Sequence, residues 1–189
     1  MLHLALDDDA NRLLTEDPFA LLVGMLLDQQ FPMERAFTGP YLLAERLGTP
    51  NKLDPYLIVK TSDEKLAELA KGPPAIHRYP GSMVARIKTL AQVVIDEYDG
   101  DTTSIWRSAK DGKTAYANLH ALPGFGEAKA KIFLALVGKQ LGEAPTGWQT
   151  ACAPYGKKGT TMSIADVTSP ESLLKVREWK QAQKRKAAK

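Results

Sequence analysis

Pro123-Gly124-Phe125-Gly126, within LHALPGFGEAKAKIFLALVGKQ (residues 119–140), stands directly ahead of an apolar run that carries Lys129 and Lys131. Glycines at 124 and 126 give the backbone access to φ > 0 and to close approach by another chain. Pro123 fixes the entry, and the helix that follows presents unpaired N–H groups in its first turn. Those donors, the helix dipole and two ammonium groups make a local site for an anion. A phosphodiester fits there without any base being read. A bare helix–turn–helix corner needs the same glycines, so the pattern alone leaves both readings open.

Two more groups of residues have chemical potential. EDPFALLVGMLLDQQF (16–31) carries Asp28, Gln29 and Gln30 at the end of an apolar stretch. A carboxylate at a helix C-terminus opposes the dipole, and a residue set against local preference hints at function; a structural acceptor is the plain alternative. TGWQTACAPYGKKGTT (146–161) holds Trp148 and Tyr155, which could stack on an extruded base, and Lys157-Lys158, which could meet phosphate. Core packing for Trp148 and an ordinary exposed loop pair are the alternatives. His77, Arg78 and Tyr79 lie in the loop PPAIHRYPGS (73–82). Cys152 is the only cysteine, which excludes an intramolecular disulfide and any four-cysteine zinc or iron–sulfur centre. With no histidine beside it in sequence, Cys152 reads as a small packed residue.

The elements that must position these groups are helical. Asp17 is the expected N-cap and Pro18 the first residue of a helix over 17–30, apolar on nearly every side from Phe19 to Leu27 and therefore central. Pro32 opens a second helix, which Gly39-Pro40 should interrupt or kink. Thr61 with Glu64 suggests a capping box for the next, ended by Gly72 and Pro73. Val84, Ile87, Ala91, Val94 and Tyr98 recur at helical spacing. One or two short helices follow, then one from Gly126 to about 139 or 141 with Gly142 as its stop, and a last helix capped by Ser169 with Pro170 at its start. No window alternates as a strand would. An all-α protein follows, with 17–30 and 126–141 its most buried elements.

Hydrophobic residues make up 44% of the 189 and charged ones 25%, the profile of a soluble globular protein. No stretch reads as a transmembrane helix, and the N-terminus lacks a basic segment before an apolar core, so a cytoplasmic location is expected. The net charge of +3 is uneven: residues 175–189 carry seven basic side chains against Glu178, a local +6, which leaves 3 − 6 = −3 elsewhere. The basic end could attract phosphate in a salt-sensitive way, or be a solvated, disordered end. Residues 1–174 are read as one helical domain and 175–189 as a basic helix end or tail.

LPGFGEAKAKI (122–132) resembles the hairpin of the helix-hairpin-helix DNA glycosylases, the superfamily that includes endonuclease III, the adenine glycosylase MutY and the alkyladenine glycosylase AlkA. FALLVGMLLDQQ (19–30) resembles their helix ending in a glutamine, and residues 71–101 their loop followed by a basic amphipathic helix. The three segments occur in the family's order and together span about residues 15–150. The resemblance implies a two-lobed helical bundle with the hairpin at the mouth of a DNA cleft, and duplex DNA as partner. Pro123, Gly124, Phe125, Gly126, Lys129 and Lys131 would contact the DNA backbone, with a monovalent ion held by hairpin carbonyls. Gln30 would enter the duplex where a nucleotide is extruded; Trp148 and Tyr155, from their residue types and not from the resemblance, are the candidates for the base pocket. No other cofactor, no membrane and no protein partner is implied.

The chain departs from the family where the chemistry should be. The position of the usual catalytic aspartate falls on Thr146, which has no charge to stabilise a developing sugar cation or activate water. The lysine that attacks the sugar in bifunctional members is matched by Ala128; Lys129 is rotated about 100° around the helix and does not take its role. No β-lyase activity is expected. Asp28 is the best candidate for a substitute carboxylate, with a structural acceptor or an exposed end residue as the alternative reading. The expectation is therefore a base-excision-repair protein that extrudes a damaged or modified base, a monofunctional glycosylase if it cleaves. The alternatives are a catalytically inactive protein that recognises damaged or distorted DNA, and an interaction corner with no DNA role.

Overall fold

The computed structural model describes residues 1–188, and Lys189 lies outside the described residues. Eleven α-helices occur in them, with no strand: α1 (Asp8–Glu16), α2 (Pro18–Leu27), α3 (Met33–Arg46), α4 (Pro55–Lys60), α5 (Asp63–Lys71), α6 (Pro80–Tyr98), α7 (Ser104–Arg107), α8 (Gly112–His120), α9 (Glu127–Leu136), α10 (Trp148–Ala151) and α11 (Pro170–Ala187). A π-helical turn, Val137–Leu141, extends α9, and a 3-10 turn, Ile164–Asp166, precedes α11. Among the described residues no helix is long and apolar enough to cross a membrane.

The chain forms two compact units. The first holds His3–Ser104 and Leu122–Gly124; the second holds Ile105–Ala121 and the chain from Phe125 onward. At the centre of the first is α2, packed against α1, α3 and α6. Every residue from Phe19 to Leu27 is buried, as an apolar stretch without a polar face requires. Asp17 starts it, its Oδ1 accepting from the N–H groups of Phe19 (2.9 Å) and Ala20 (3.2 Å) and its Oδ2 from Leu53 N–H (2.6 Å). Gly24 lets α3 approach, since a Cβ there would stand 2.5 Å from Phe37 Cδ1.

Several elements differ from expectation. The central helix stops at Leu27 rather than at residue 30. Pro40 does not interrupt α3, which runs unbroken to Arg46; Gly39 beneath it packs so closely on Leu27 and the Ile76 carbonyl that tertiary contacts hold the segment helical. Thr61 is not the cap of α5. Its hydroxyl donates back to Leu57 O (2.7 Å), closing α4, and Ser62 accepts from Lys65 N–H (3.2 Å) instead. Helices α1 and α4 are additions to the expected set; Asp7 and Asp54 cap them.

The second unit packs α8, α9 and α10 together, with the 3-10 turn against α9 and α11. Trp106 and Phe133 meet at its centre (5.6 Å between rings), and the buried indole N–H donates to Glu143 (3.1 Å). Lys139 and Asp166 form an ion pair of 2.6 Å with both side chains almost wholly buried. Asp166 is further satisfied by Thr160 and by the Met162 and Ser163 N–H groups, as a buried charge must be.

Candidate nucleic-acid interface

The site begins where α2 ends. Asp28 N–H closes the last turn on Gly24 O (3.1 Å), and Gln29 then folds back, its backbone N–H on Leu27 O (2.7 Å) and its side-chain amide on Leu26 O (2.9 Å). Gln30 follows with φ +51° and an exposed side chain. A left-handed glutamine costs roughly 1–2 kcal/mol, so its surroundings must hold it. His77 does so. Its ring is buried, Nδ1 accepts from Tyr79 N–H (3.1 Å), and Nε2–H therefore donates to Gln29 O (2.9 Å).

Around this turn stand aromatic rings and guanidinium groups. Phe31 packs on His77 (4.8 Å between ring centres), with Tyr79 on the histidine's other contact (6.1 Å). Arg35 lies over Phe31 (5.0 Å) and Arg78 over Tyr79 (5.4 Å), and half of Tyr79 is exposed. A niche of about 210 Å³ is lined by Gln29, Gln30, His77, Tyr79, Ser82, Met83 and Arg86. Its polar walls offer an amide, a hydroxyl and a cation, with no carboxylate among them. Sequence reasoning found Gln30 and the 77–79 loop but missed Phe31, Arg35 and Arg86. An aromatic directly after Gln30, with an arginine one turn on, was the available signal.

The hairpin joins α8 to α9 through residues 121–126. Gly124 has φ +81°, and a Cβ there would collide with Leu26 Cδ1. Leu26 thus receives the hairpin tip on its side chain and the Gln29 amide on its carbonyl, so the structure brings these two predicted segments together in the first unit. Gly126 differs from expectation: its φ is −75° and the space at its Cβ is open, so it serves as the N-cap of α9 and not as a left-handed residue. Gly126 makes no side-chain cap bond to the first turn of α9.

Three of the expected contact residues have partners within the protein. Phe125 is buried edge-on against Phe133 (6.1 Å), so its side chain is core and only its backbone belongs to the hairpin surface. Lys131 is bonded to Glu127 one turn back (2.6 Å). That bond holds the Glu127 carboxyl below its ordinary value and Lys131 above its own, so part of the ammonium charge is already balanced. Trp148 is buried, its ring occupying the space over Gly138, where a Cβ would come within 2.5 Å. Its remaining edge lines an open groove of about 500 Å³ with Lys139, Lys158 and Thr168, and Tyr155 is not on that wall.

Lys129 is half-buried on α9, and Pro123 is half-buried in the turn. Asp28 is half-buried at the end of α2 and does not line the niche beside Gln30. Thr146 is exposed, and its carbonyl accepts from Gly112 N–H (2.8 Å), a strap onto the start of α8. Cys152 is buried, and desolvation pushes its thiol up to about 11. No protein-family profile matches the chain, and no curated protein matches it.

Proposed function

We propose that the chain is a base-excision-repair protein of the helix-hairpin-helix glycosylase type that binds duplex DNA and extrudes a damaged or modified nucleotide. The helix-hairpin-helix fold implied by the resemblance, two helical lobes with a DNA cleft, is part of the proposal. The observation that carries it is Gln30: an exposed, left-handed glutamine whose preceding carbonyl is held by His77 and which shares its niche with Tyr79 and Arg86, while Arg78 lies over Tyr79 and Arg35 over the adjoining Phe31. The guanidinium groups attract phosphate, the rings offer faces for stacking, and the amide fills the gap and bonds to the orphaned base. The hairpin supports the duplex beside it through the α9 N–H groups and Lys129, with a monovalent ion at its carbonyls on the family's pattern.

For cleavage the chain supplies Asp28, whose carboxylate would stabilise the positive sugar as the glycosidic bond breaks. Ala128 offers no amine, so the enzyme is monofunctional. A second reading, binding without excision, is favoured by the carboxylate-free lining of the niche. The deciding experiment is single-turnover excision on duplexes carrying deaminated, oxidised or alkylated bases, followed by alkali, with Asp28→Asn beside the wild type. Strand scission by the wild type that falls about 100-fold or more in Asp28→Asn is the expected result. Scission unchanged in Asp28→Asn removes Asp28 from catalysis. No scission with tight binding to abasic duplex gives the second reading, and no binding to any duplex overturns both.

A further inference from the structure

Helix α11 is long but barely packed. Of its 18 residues only Val176 is buried; Leu173 and Trp179 are half-buried, and Leu174 is 56% exposed. It forms because its ends are well made and its residues suit a helix. The Ser169 hydroxyl accepts from Ser172 N–H (3.2 Å), the Ser172 hydroxyl accepts in return from Ser169 N–H (2.9 Å), and Pro170 occupies the first turn. Leu, Lys, Arg, Gln, Glu and Ala fill the rest, and Lys184, Arg185 and Lys186 in the last turn complement the dipole. The basic segment is therefore the outer part of one continuous helix, not a tail detached from it.

Most of its charge goes beyond what the helix dipole requires. Lys175, Lys180, Lys184, Arg185 and Lys186 make no ion pair within the described residues, whereas α1, α5 and α9 each pair a base with an acid three or four residues away. Lys180 and Lys184 are like charges one turn apart, an arrangement that weakens a helix. The cations also fall all round the axis: at about 100° per residue, Lys175, Lys180 and Arg185 lie on widely separated faces. A membrane-surface helix would set an apolar face against a cationic one; here the few apolar side chains lie no further along than Trp179, and beyond it there is none but alanine. The segment from Lys175 to Lys186 is about 17 Å long, and duplex DNA presents about ten phosphate charges over that distance.

We propose that α11 is a second DNA contact, a preformed basic helix that lies along the sugar–phosphate backbone and reads no base. This inference rests on the reading of the chain as a duplex-binding protein. The test is equilibrium binding of the full chain and of the variant Lys180→Gln/Lys184→Gln/Arg185→Gln/Lys186→Gln to a 20-base-pair duplex, intact or with one abasic site, between about 50 and 200 mM salt. A second variant, Lys180→Arg/Lys184→Arg/Lys186→Arg, keeps the charge, and circular dichroism checks that both fold.

The glutamine variant should bind at least about tenfold more weakly at low salt, and its plot of log K against log salt should be shallower by about 0.9 for each phosphate that it no longer neutralises. The weakening should be equal on intact and abasic duplex, and the arginine variant should match the wild type. Unchanged affinity and slope in the glutamine variant, with the wild type binding DNA, overturn the role of α11 alone. A weakening confined to the abasic duplex overturns the claim that the helix reads no base. Failure of the wild type to bind either duplex overturns the DNA reading, and the α11 inference with it.

Discussion

At Gln30 a residue with a side chain occupies a conformation that glycine adopts freely, which separates stability from function. Gln30→Gly should leave the melting temperature unchanged or raise it, because it releases strain of about 1 kcal/mol while adding some freedom to the unfolded chain. Binding to abasic or mismatched duplex should nevertheless fall about tenfold or more, read by fluorescence anisotropy. Equal binding with a gain in stability would show that the glutamine does nothing at the DNA. Gln30 was legible in sequence because polar residues closing an apolar helix stand out; its left-handed turn was not, since that depends on His77, nearly fifty residues away. Asp17 makes a second residue-scale case. Desolvation raises its carboxyl above the ordinary 3.8, against the three N–H bonds and Lys52 that lower it. A folded-state value above the unfolded one means that the native protein holds the proton more tightly. The stability so gained is complete below pH 3.8 and is lost as pH rises through the raised value. The wild-type unfolding free energy minus that of Asp17→Asn should therefore decline as pH rises from 3.8 and then level off, measured by urea denaturation at a series of pH values. A difference that grows with pH would mean that the bonds outweigh the burial.

Among elements, legibility followed the range of the forces involved. Helices α2, α6, α9 and α11 were readable because apolar spacing, an N-cap and a proline or glycine at the boundary all act within a few residues. The course of α3 through Pro40 was not, because packing on Leu27 and Ile76 overrides a local breaker. Helix α4 has only six residues, too few to show a period. The hairpin glycines are the sharpest case: both permit a left-handed turn, and only Gly124 takes one. The same distinction predicts unequal costs. Gly126→Ala meets open space at an extended φ, so a weaker N-cap and a stiffer unfolded chain nearly cancel and stability should move by less than about 1 kcal/mol. Gly138→Ala drives a methyl into the Trp148 ring within the π-helical turn and should cost about 1–3 kcal/mol. Thermal melts of the two variants side by side make the comparison; a costly Gly126→Ala would mean that the hairpin is tighter than its open Cβ position implies.

Across the whole molecule, burial and charge are distributed in opposite senses. The apolar centre of the first unit is α2, that of the second is α9 with Trp106, and the cations concentrate on α11, which has one buried residue. Local opening costs little where few apolar contacts break, and approaches the full unfolding free energy where many do. Amide exchange should therefore be slowest over Val23–Leu27 in the first unit and over Phe133–Val137 in the second. It should be fast through α11 beyond Val176, although every residue there is helical. That last expectation sets α11 apart from a helix held by its neighbours: its hydrogen bonds are intact while nothing buried opposes their opening, and repulsion between Lys180 and Lys184 favours opening further. Duplex DNA would neutralise that repulsion, so protection in residues 177–187 should rise when DNA is added at low salt and fall again as salt is raised. Exchange over α2 should not respond, since its amides already open only with the unit as a whole. Strong protection of 177–187 in the free protein would instead mean that α11 is packed against something in solution, and its charge would need another explanation.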